Sequence, residues 1–243
     1  MVTMKAELSF GEAVARLSQA QKSKRGVSLY SRFVNRPLGR VLAAAAYRLG
    51  ATPNQVTAAS AIVTAIGLAV VIVAGPGPLA GILGAAFLVL GFALDSADGQ
   101  VARLTGRSSP AGEWLDHVVD AGKIVAVHAT VLVVAFRFGV AGAGWLWVPL
   151  AFQVVAIVTF AGGVLIDLLK RASSTVDAPR APSTLRALAL LPADYGILAL
   201  SFLLWWWAPL FLTVYTLLFA ANTVIAVLLV VKWFRELSRP AAL

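Results

Sequence analysis

Residues 95–120 of the chain read DSADGQVARLTGRSSPAGEWLDHVVD, and two strongly apolar segments flank this stretch. It contains the aspartates Asp95, Asp98, Asp116 and Asp120. Residues three or four apart share one face of a helix, so we expect the aspartates to project in two pairs. The six-residue loop at 105–110 turns the chain back, which brings both pairs to one depth at the cytosolic end of two antiparallel helices. Because divalent cations relieve repulsion between carboxylates and also bind phosphates, the stretch predicts a two-metal phosphoryl-transfer site.

The composition argues against a soluble globular protein. Of the 243 residues, 60% are hydrophobic and 13% are charged, whereas soluble domains average about 45–50% and about 25%. The mean hydropathy is +0.86, and several apolar stretches reach the roughly 20 residues that a bilayer core requires. We therefore predict an all-α integral membrane protein. The absence of cysteine excludes disulfides and thiolate chemistry.

The positive charge indicates a membrane orientation and not a nucleic-acid partner. The formal net charge is +9, yet nine of the twenty Lys and Arg residues precede Thr52 and most others flank apolar segments. This distribution follows the positive-inside rule, and no reading helix or stacking platform accompanies it. We expect both termini and the aspartate cluster on the cytosolic side of a bacterial-type cytoplasmic membrane, and no nucleic-acid binding.

Three regions are predicted along the chain. They are a flexible basic N-terminal segment at 1–27, a juxtamembrane amphipathic helix at 28–50 and a six-helix transmembrane catalytic domain at 51–238. The expected spans cover about 52–74, 79–104, 111–138, 145–169, 187–207 and 210–234. The juxtamembrane helix mixes aromatic, basic and alanine residues, which is typical of a helix lying on the membrane surface, and we expect a break near Pro37.

Small residues beside the aspartates predict a binding slot. Gly99 directly follows Asp98, and a glycine inside a helix lowers its stability unless another group must approach the backbone. Gly112 could face it from the next helix and open space for a nucleobase or ribose, with Ala102 keeping the wall shallow. Arg103 could pair with a diphosphate or with one of the aspartates.

Taken together, these residues form the pattern D-x2-D-G-x2-A-R-x8-G-x3-D-x3-D. The pattern resembles the signature of the CDP-alcohol phosphotransferase family at all eight positions. The resemblance implies an enzyme that transfers a substituted phosphate group from a CDP-alcohol, usually CDP-diacylglycerol, to a second alcohol and releases CMP. The predicted membrane helices extend the likeness across most of the chain.

The resemblance also implies roles for individual residues. Asp95, Asp98 and Asp116 would hold Mg²⁺ or Mn²⁺, and Asp120 would complete the metal site and act as the general base. The residues expected to line the CDP pocket are Gly99, Ala102, Arg103 and Gly112. The family likeness further favours a homodimer.

The sequence does not identify the acceptor alcohol. A phosphorylated acceptor, such as inositol phosphate or glycerol phosphate, needs additional cations, and Lys170, Arg171 and Arg186 are the candidates. Each of these could equally be a positive-inside membrane anchor, and a neutral acceptor or a sugar alcohol remains open. Asp194, in the run Asp194-Tyr195-Gly196, is a further acceptor candidate.

Other classes of protein fit the sequence less well. A soluble CDP-alcohol donor with a lipid acceptor would use the same carboxylates. A membrane prenyltransferase typically has two aspartate motifs far apart in sequence, and a cation transporter has its acids near the bilayer midplane. A purely structural ion-pair network with Arg103, Arg107 and Lys123 would leave the two glycines unexplained.

Overall fold

The computed structural model describes residues 8–20, 27–172 and 183–238, and this part of the chain is helical without a strand. The α-helices are α1 Phe10–Gln19, α2 Arg36–Arg48, α3 Pro53–Ala74, α4 Pro78–Thr105, α5 Pro110–Arg137, α6 Trp147–Ala172, α7 Thr184–Ala189, α8 Tyr195–Ser201 and α9 Ala208–Leu237. Short 3₁₀ turns lie at Ala143–Leu146, Leu191–Ala193 and Phe202–Leu204.

Five helical segments in the described residues are long and apolar enough to cross a membrane. They are Pro53–Ala74, Pro78–Thr105, Pro110–Arg137, Ala143–Ala172 and Ala208–Leu237. At a rise of about 1.5 Å per residue, even 22 residues reach about 33 Å, which exceeds the apolar core of a bilayer. The prediction of an all-α integral membrane protein is confirmed.

The predicted fifth span at 187–207 differs from the expectation of a continuous helix. Short helices replace it, and its apolar part, Tyr195–Leu204, has only ten residues, which is too short to count among the long spans. The chain breaks because Pro192 cannot continue a helical hydrogen-bond ladder and because Asp194 caps a new helix by accepting from the Gly196 N–H at 2.8 Å. Six long spanning helices are therefore not confirmed.

This broken segment runs alongside α4. At one end, the Asp194 carboxylate accepts a hydrogen bond from Ser31 in the juxtamembrane segment at 2.6 Å. At the other end, Trp205 Nε1 donates to the carbonyl of Gly75 at 3.0 Å, in the turn between α3 and α4. Residues 194–205 thus extend along α4 from the end that carries the aspartates to the region of the other end.

The juxtamembrane region is one continuous helix and not the broken one that Pro37 suggested. A π-helical turn at Ser31–Asn35 leads directly into α2, in which Pro37 lies in the first turn. A wider turn accommodates proline, which has no N–H to donate and whose ring clashes with the preceding turn. The position of this helix on a membrane surface stays a prediction.

The N-terminal segment at 1–27, expected to be flexible, contains a helix in its described part. Ser9 and Glu12 form a reciprocal capping box at the start of α1, which satisfies two backbone donors. Ala13 and Leu17 are buried in a cluster with Val101 and Leu104 of α4. Residues 1–7 and 21–26 lie outside the described residues.

Helices α3 and α4 approach each other closely, and Gly91 permits this approach. A methyl group at Gly91 would lie 2.2 Å from Thr64 Oγ1 and 3.3 Å from the carbonyl of Ser60. Ser60 Oγ in turn donates to the carbonyl of Gly91 at 2.7 Å. This contact places the polar side chains of α3 against the aspartates of α4.

We predict that Gly91→Ala destabilises the protein by roughly 1–3 kcal/mol, since the added methyl group forces α3 and α4 apart. Thermal unfolding in detergent measures the effect. Gly122→Ala is the matched control, because a methyl group there meets nothing within 4 Å and alanine favours the helix. Equal melting temperatures for the two variants would contradict the prediction.

Candidate active site

Three of the four aspartates converge on one small volume. Asp95 of α4 and Asp116 and Asp120 of α5 each offer a carboxylate oxygen, and these oxygens all lie within 4.8 Å of one another. A set of carboxylate oxygens without nitrogen or sulfur ligands fits a hard divalent cation such as Mg²⁺ or Mn²⁺. The donor chemistry therefore agrees with the predicted metal site.

The loop between α4 and α5 establishes this convergence locally. Gly106 ends α4 in the left-handed conformation, with φ of 69°, which glycine adopts without steric cost. Ser109 begins α5 by accepting from the Gly112 N–H at 3.1 Å, and Pro110 occupies the first helical position. Helix α4 therefore ends at nearly the same depth as that at which α5 begins.

Asp98 occupies a different position from the other three aspartates. Its carboxylate accepts from Thr57 Oγ1 at 2.6 Å and from the Gly99 N–H. It is nearly buried, at 6% exposure, and its charge interacts with those of Asp95 and Asp116. It is not a member of the three-carboxylate group, but it lines the adjoining cavity together with Asp116.

Lys123 is a cation that bonds directly to the cluster. Its Nζ donates to Asp95, to Asp120 Oδ1 at 3.3 Å and to Ser60 Oγ at 2.8 Å. One lysine therefore ties α3, α4 and α5 together at the carboxylates. A buried group of like charges needs such a partner, because the low dielectric leaves their repulsion unscreened.

The hydroxyl groups of α3 were not foreseen by the sequence analysis. Thr57, Ser60 and Thr64 are buried and follow the three-to-four-residue spacing of one helix face. Small polar residues in this spacing within an otherwise apolar helix were the available signal. Two of them, Thr57 and Ser60, bond to groups of the site.

A cavity of about 1030 Å³ opens beside the aspartates. The predicted CDP-binding residues Gly99, Ala102, Arg103 and Gly112 all line it. A methyl group at Gly99 would meet only Arg103 Nη1, at 3.5 Å. Protein packing therefore does not require glycine at 99, whereas a ligand that approaches the backbone would.

Two of the three predicted acceptor-binding residues reach this cavity. Arg171 and Arg186 line it, together with Lys232, which the sequence analysis did not consider for this role. Lys170 does not line the cavity, and its Nζ pairs with Glu236 Oε2 at 2.7 Å. Neighbouring helical residues point about 100° apart, which explains why Arg171 faces the cavity while Lys170 does not.

The juxtamembrane helix adds positive charge near the same end of α4. Burial lowers the pKa of Arg36, and the nearby charges of Arg103 and Arg32 lower it further. The side chain of Gln100 donates to the carbonyl of Arg36 at 3.2 Å. Arginines from two helices thus gather close to the cavity, which favours an anionic ligand.

Helices α6 and α9 form another wall of the cavity, and this wall contains apolar side chains. Phe160 and Val164 line it from α6, and Leu229 and Trp233 line it from α9. The ring of Trp233 lies so close to Gly162 that a methyl group there would approach it to 2.8 Å. This wall therefore offers apolar surface beside the cations Arg171 and Lys232 of the same helices, as a ligand with both phosphate and hydrocarbon parts requires.

The comparisons with known proteins agree with this arrangement. No curated protein matches the chain significantly. A model of the CDP-alcohol phosphatidyltransferase family matches residues 50–234, which includes every helix from α3 to the greater part of α9 and the whole aspartate region. The chain therefore belongs to the CDP-alcohol phosphatidyltransferase family.

Proposed function

We propose that the protein transfers a phosphatidyl group from CDP-diacylglycerol to the hydroxyl of a small phosphorylated alcohol and releases CMP. Inositol phosphate and glycerol phosphate are the acceptors that we favour. One observation carries the proposal: a single cavity is lined by Asp98 and Asp116, by the four CDP-pocket residues and by the cations Arg171, Arg186 and Lys232. A donor diphosphate and an acceptor phosphate could both be bound in such a cavity.

The proposed donor is supported by the apolar wall of the cavity. Side chains such as Phe160, Val164 and Leu229 provide a surface for hydrocarbon, while the aspartate end provides the polar environment that a nucleotide needs. A lipid donor can therefore keep its acyl chains in apolar surroundings while its diphosphate reaches the carboxylates.

We assign two divalent cations, Mg²⁺ or Mn²⁺, to Asp95, Asp98, Asp116 and Asp120. When bound, they would supply positive charge to the phosphate oxygens during transfer. The three carboxylate oxygens within 4.8 Å support a shared ligand set. Asp98, held by Thr57, would provide a further ligand from the cavity side.

Asp120 is the proposed general base. An alcohol is a weak nucleophile, and a carboxylate that removes its proton as attack proceeds lowers the barrier. The acceptor oxygen forms a bond to the phosphorus that carries diacylglycerol, the bond from that phosphorus to the oxygen of CMP breaks, and CMP leaves with the electron pair. Lys123, 3.3 Å from Asp120 Oδ1, would hold this carboxylate in position.

We further propose that the short segment at 194–205 completes a six-crossing topology. One of its ends bonds to Ser31 of the juxtamembrane segment, and the other bonds to Gly75 in the turn between α3 and α4. With six crossings, both termini and the cavity lie on one side, and the basic flanks of the apolar segments place that side in the cytosol.

The proposed reaction predicts acceptor-dependent release of CMP. Purified protein with Mg²⁺ or Mn²⁺ and CDP-diacylglycerol should release CMP with inositol phosphate or glycerol phosphate, and not without an acceptor. Asp120→Asn should lower kcat by about 10²–10⁴-fold, because the acceptor then loses its base. Glu12→Gln, which removes an acid in α1, is the control with expected wild-type activity.

If no CMP is released with any acceptor, including inositol and serine, the assigned donor is contradicted. Metal-dependent binding of CDP would in that case indicate a soluble CDP-alcohol as the donor and a lipid as the acceptor. Full activity of Asp98→Asn would contradict the metal assignment.

A second prediction separates the cavity cations from the membrane anchors. Arg186→Gln should raise the KM for a phosphorylated acceptor by about 10–100-fold, since a charge-assisted hydrogen bond contributes about 1.5–3 kcal/mol. The KM for CDP-diacylglycerol should stay within about twofold. Lys170→Gln removes a cation that bonds to Glu236 outside the cavity, so it should change neither KM.

An equal increase in acceptor KM for the two substitutions would assign both residues to the membrane surface. An Arg186→Gln enzyme with an unchanged KM would point to a neutral acceptor.

A further inference from the structure

The run Asp194-Tyr195-Gly196 at the start of α8 packs against α4, the helix that carries Asp95 and Asp98. Asp194 itself is occupied: its Oδ2 accepts from the hydroxyls of Ser28 and Ser31 and from the Ser31 N–H at 3.1 Å, and its Oδ1 accepts from the Gly196 N–H at 2.8 Å. A carboxylate with these four donors serves as an anchor between the juxtamembrane segment and α8. This removes Asp194 as an acceptor-binding candidate in the described structure.

Gly196 and Phe92 fix the orientation of Tyr195. The ring of Tyr30 lies directly against Gly196, where a methyl group would approach it to 1.9 Å. The ring of Tyr195 packs against Phe92 of α4, with centroids 5.2 Å apart. The first turn of α8 is thus held on both sides, so the Tyr195 side chain has little freedom to move.

The hydroxyl of Tyr195 is buried and has no hydrogen-bond partner among the described residues. A buried hydroxyl without a partner is unfavourable and therefore uncommon. The Tyr195 ring packs against Phe92, which lies three residues before Asp95 on the same face of α4. The carboxylates of Asp95 and Asp120, two members of the three-carboxylate group, act on Tyr195 electrostatically. A donor without an acceptor thus lies near two acceptors that bond to Lys123.

We propose that Tyr195 is a positioning residue of the metal site, whose hydroxyl donates a hydrogen bond to the carboxylate of Asp95 or Asp120 when a divalent cation is bound. This inference rests on the proposed metal site. A cation uses only part of the acceptor capacity of a carboxylate, and a donor on another oxygen orients the ligand. Cation binding also competes with Lys123 for these oxygens. The hydroxyl of Tyr195 then donates to a carboxylate in place of the lysine.

The test compares Tyr195→Phe with Tyr30→Phe in the full-length protein. Tyr30→Phe removes the neighbouring hydroxyl and keeps the ring against Gly196. Calorimetric titration with Mn²⁺ should give a dissociation constant about tenfold higher for Tyr195→Phe than for wild type, as expected when an outer hydrogen bond to a metal ligand is lost. The Tyr30→Phe protein should bind Mn²⁺ as wild type does.

Thermal unfolding in EDTA provides a readout that separates positioning from packing. Without metal the hydroxyl has no partner to lose, so Tyr195→Phe should melt at the wild-type temperature or above it. Saturating Mn²⁺ should then raise its melting temperature less than that of wild type. A loss of stability in EDTA with unchanged Mn²⁺ affinity would overturn the proposal in favour of a packing role.

The outcomes also distinguish this inference from the proposed function. If wild-type protein binds Mn²⁺ and Tyr195→Phe binds it equally well, the inference alone is overturned. If wild-type protein binds no Mn²⁺, the metal site and the inference are both overturned. Should Tyr195→Phe fail to fold, Ser31→Ala carries the test: it loosens the Asp194 anchor, so a higher dissociation constant supports the proposal and an unchanged one overturns it.

Discussion

The concentration of carboxylates at the end of two membrane helices is the constraint on which the rest of the structure depends. Asp95, Asp116 and Asp120 bring oxygens within 4.8 Å of one another, in surroundings that screen charge poorly. Such a group is stable only with cations and hydrogen-bond donors around it. Lys123 supplies a cation from α5, and Ser60 links that lysine to α3.

The same constraint explains why α3 must lie so close to α4. Thr57 and Ser60 have short side chains, and they reach Asp98 and Lys123 only because Gly91 lets the helix backbones approach. The short distance between α3 and α4 is therefore needed for the hydrogen bonds of the site as well as for helix packing. In membranes, where burial of apolar surface between helices gains little, such small-residue contacts and polar bonds are a principal source of helix association.

The sequence predicted the parts of the site that repeat with helical spacing. Two pairs of aspartates, spaced three and four residues apart, formed the pattern with Gly99, Ala102, Arg103 and Gly112. These last four residues all line one cavity. The choice between Lys170 and Arg171 could not be predicted, because both are basic and adjacent, and only the rotation of α6 decides which one faces the cavity. The hydroxyls of α3 carry no charge and remained unnoticed among apolar neighbours.

The segment at 184–207 shows why hydropathy did not predict the helical breaks. Its apolar content resembles that of a spanning helix, whereas Pro192 and the Asp194 cap divide it into short pieces. The break has a structural consequence that a straight helix would not provide. It starts a new helix at the level of the juxtamembrane serines, where Asp194 can be anchored and the following residue turned inward. A discontinuous helix in a membrane protein exposes polar groups at a defined depth. Here the new helix begins with Tyr195, whose ring packs against Phe92, three residues before Asp95 on α4.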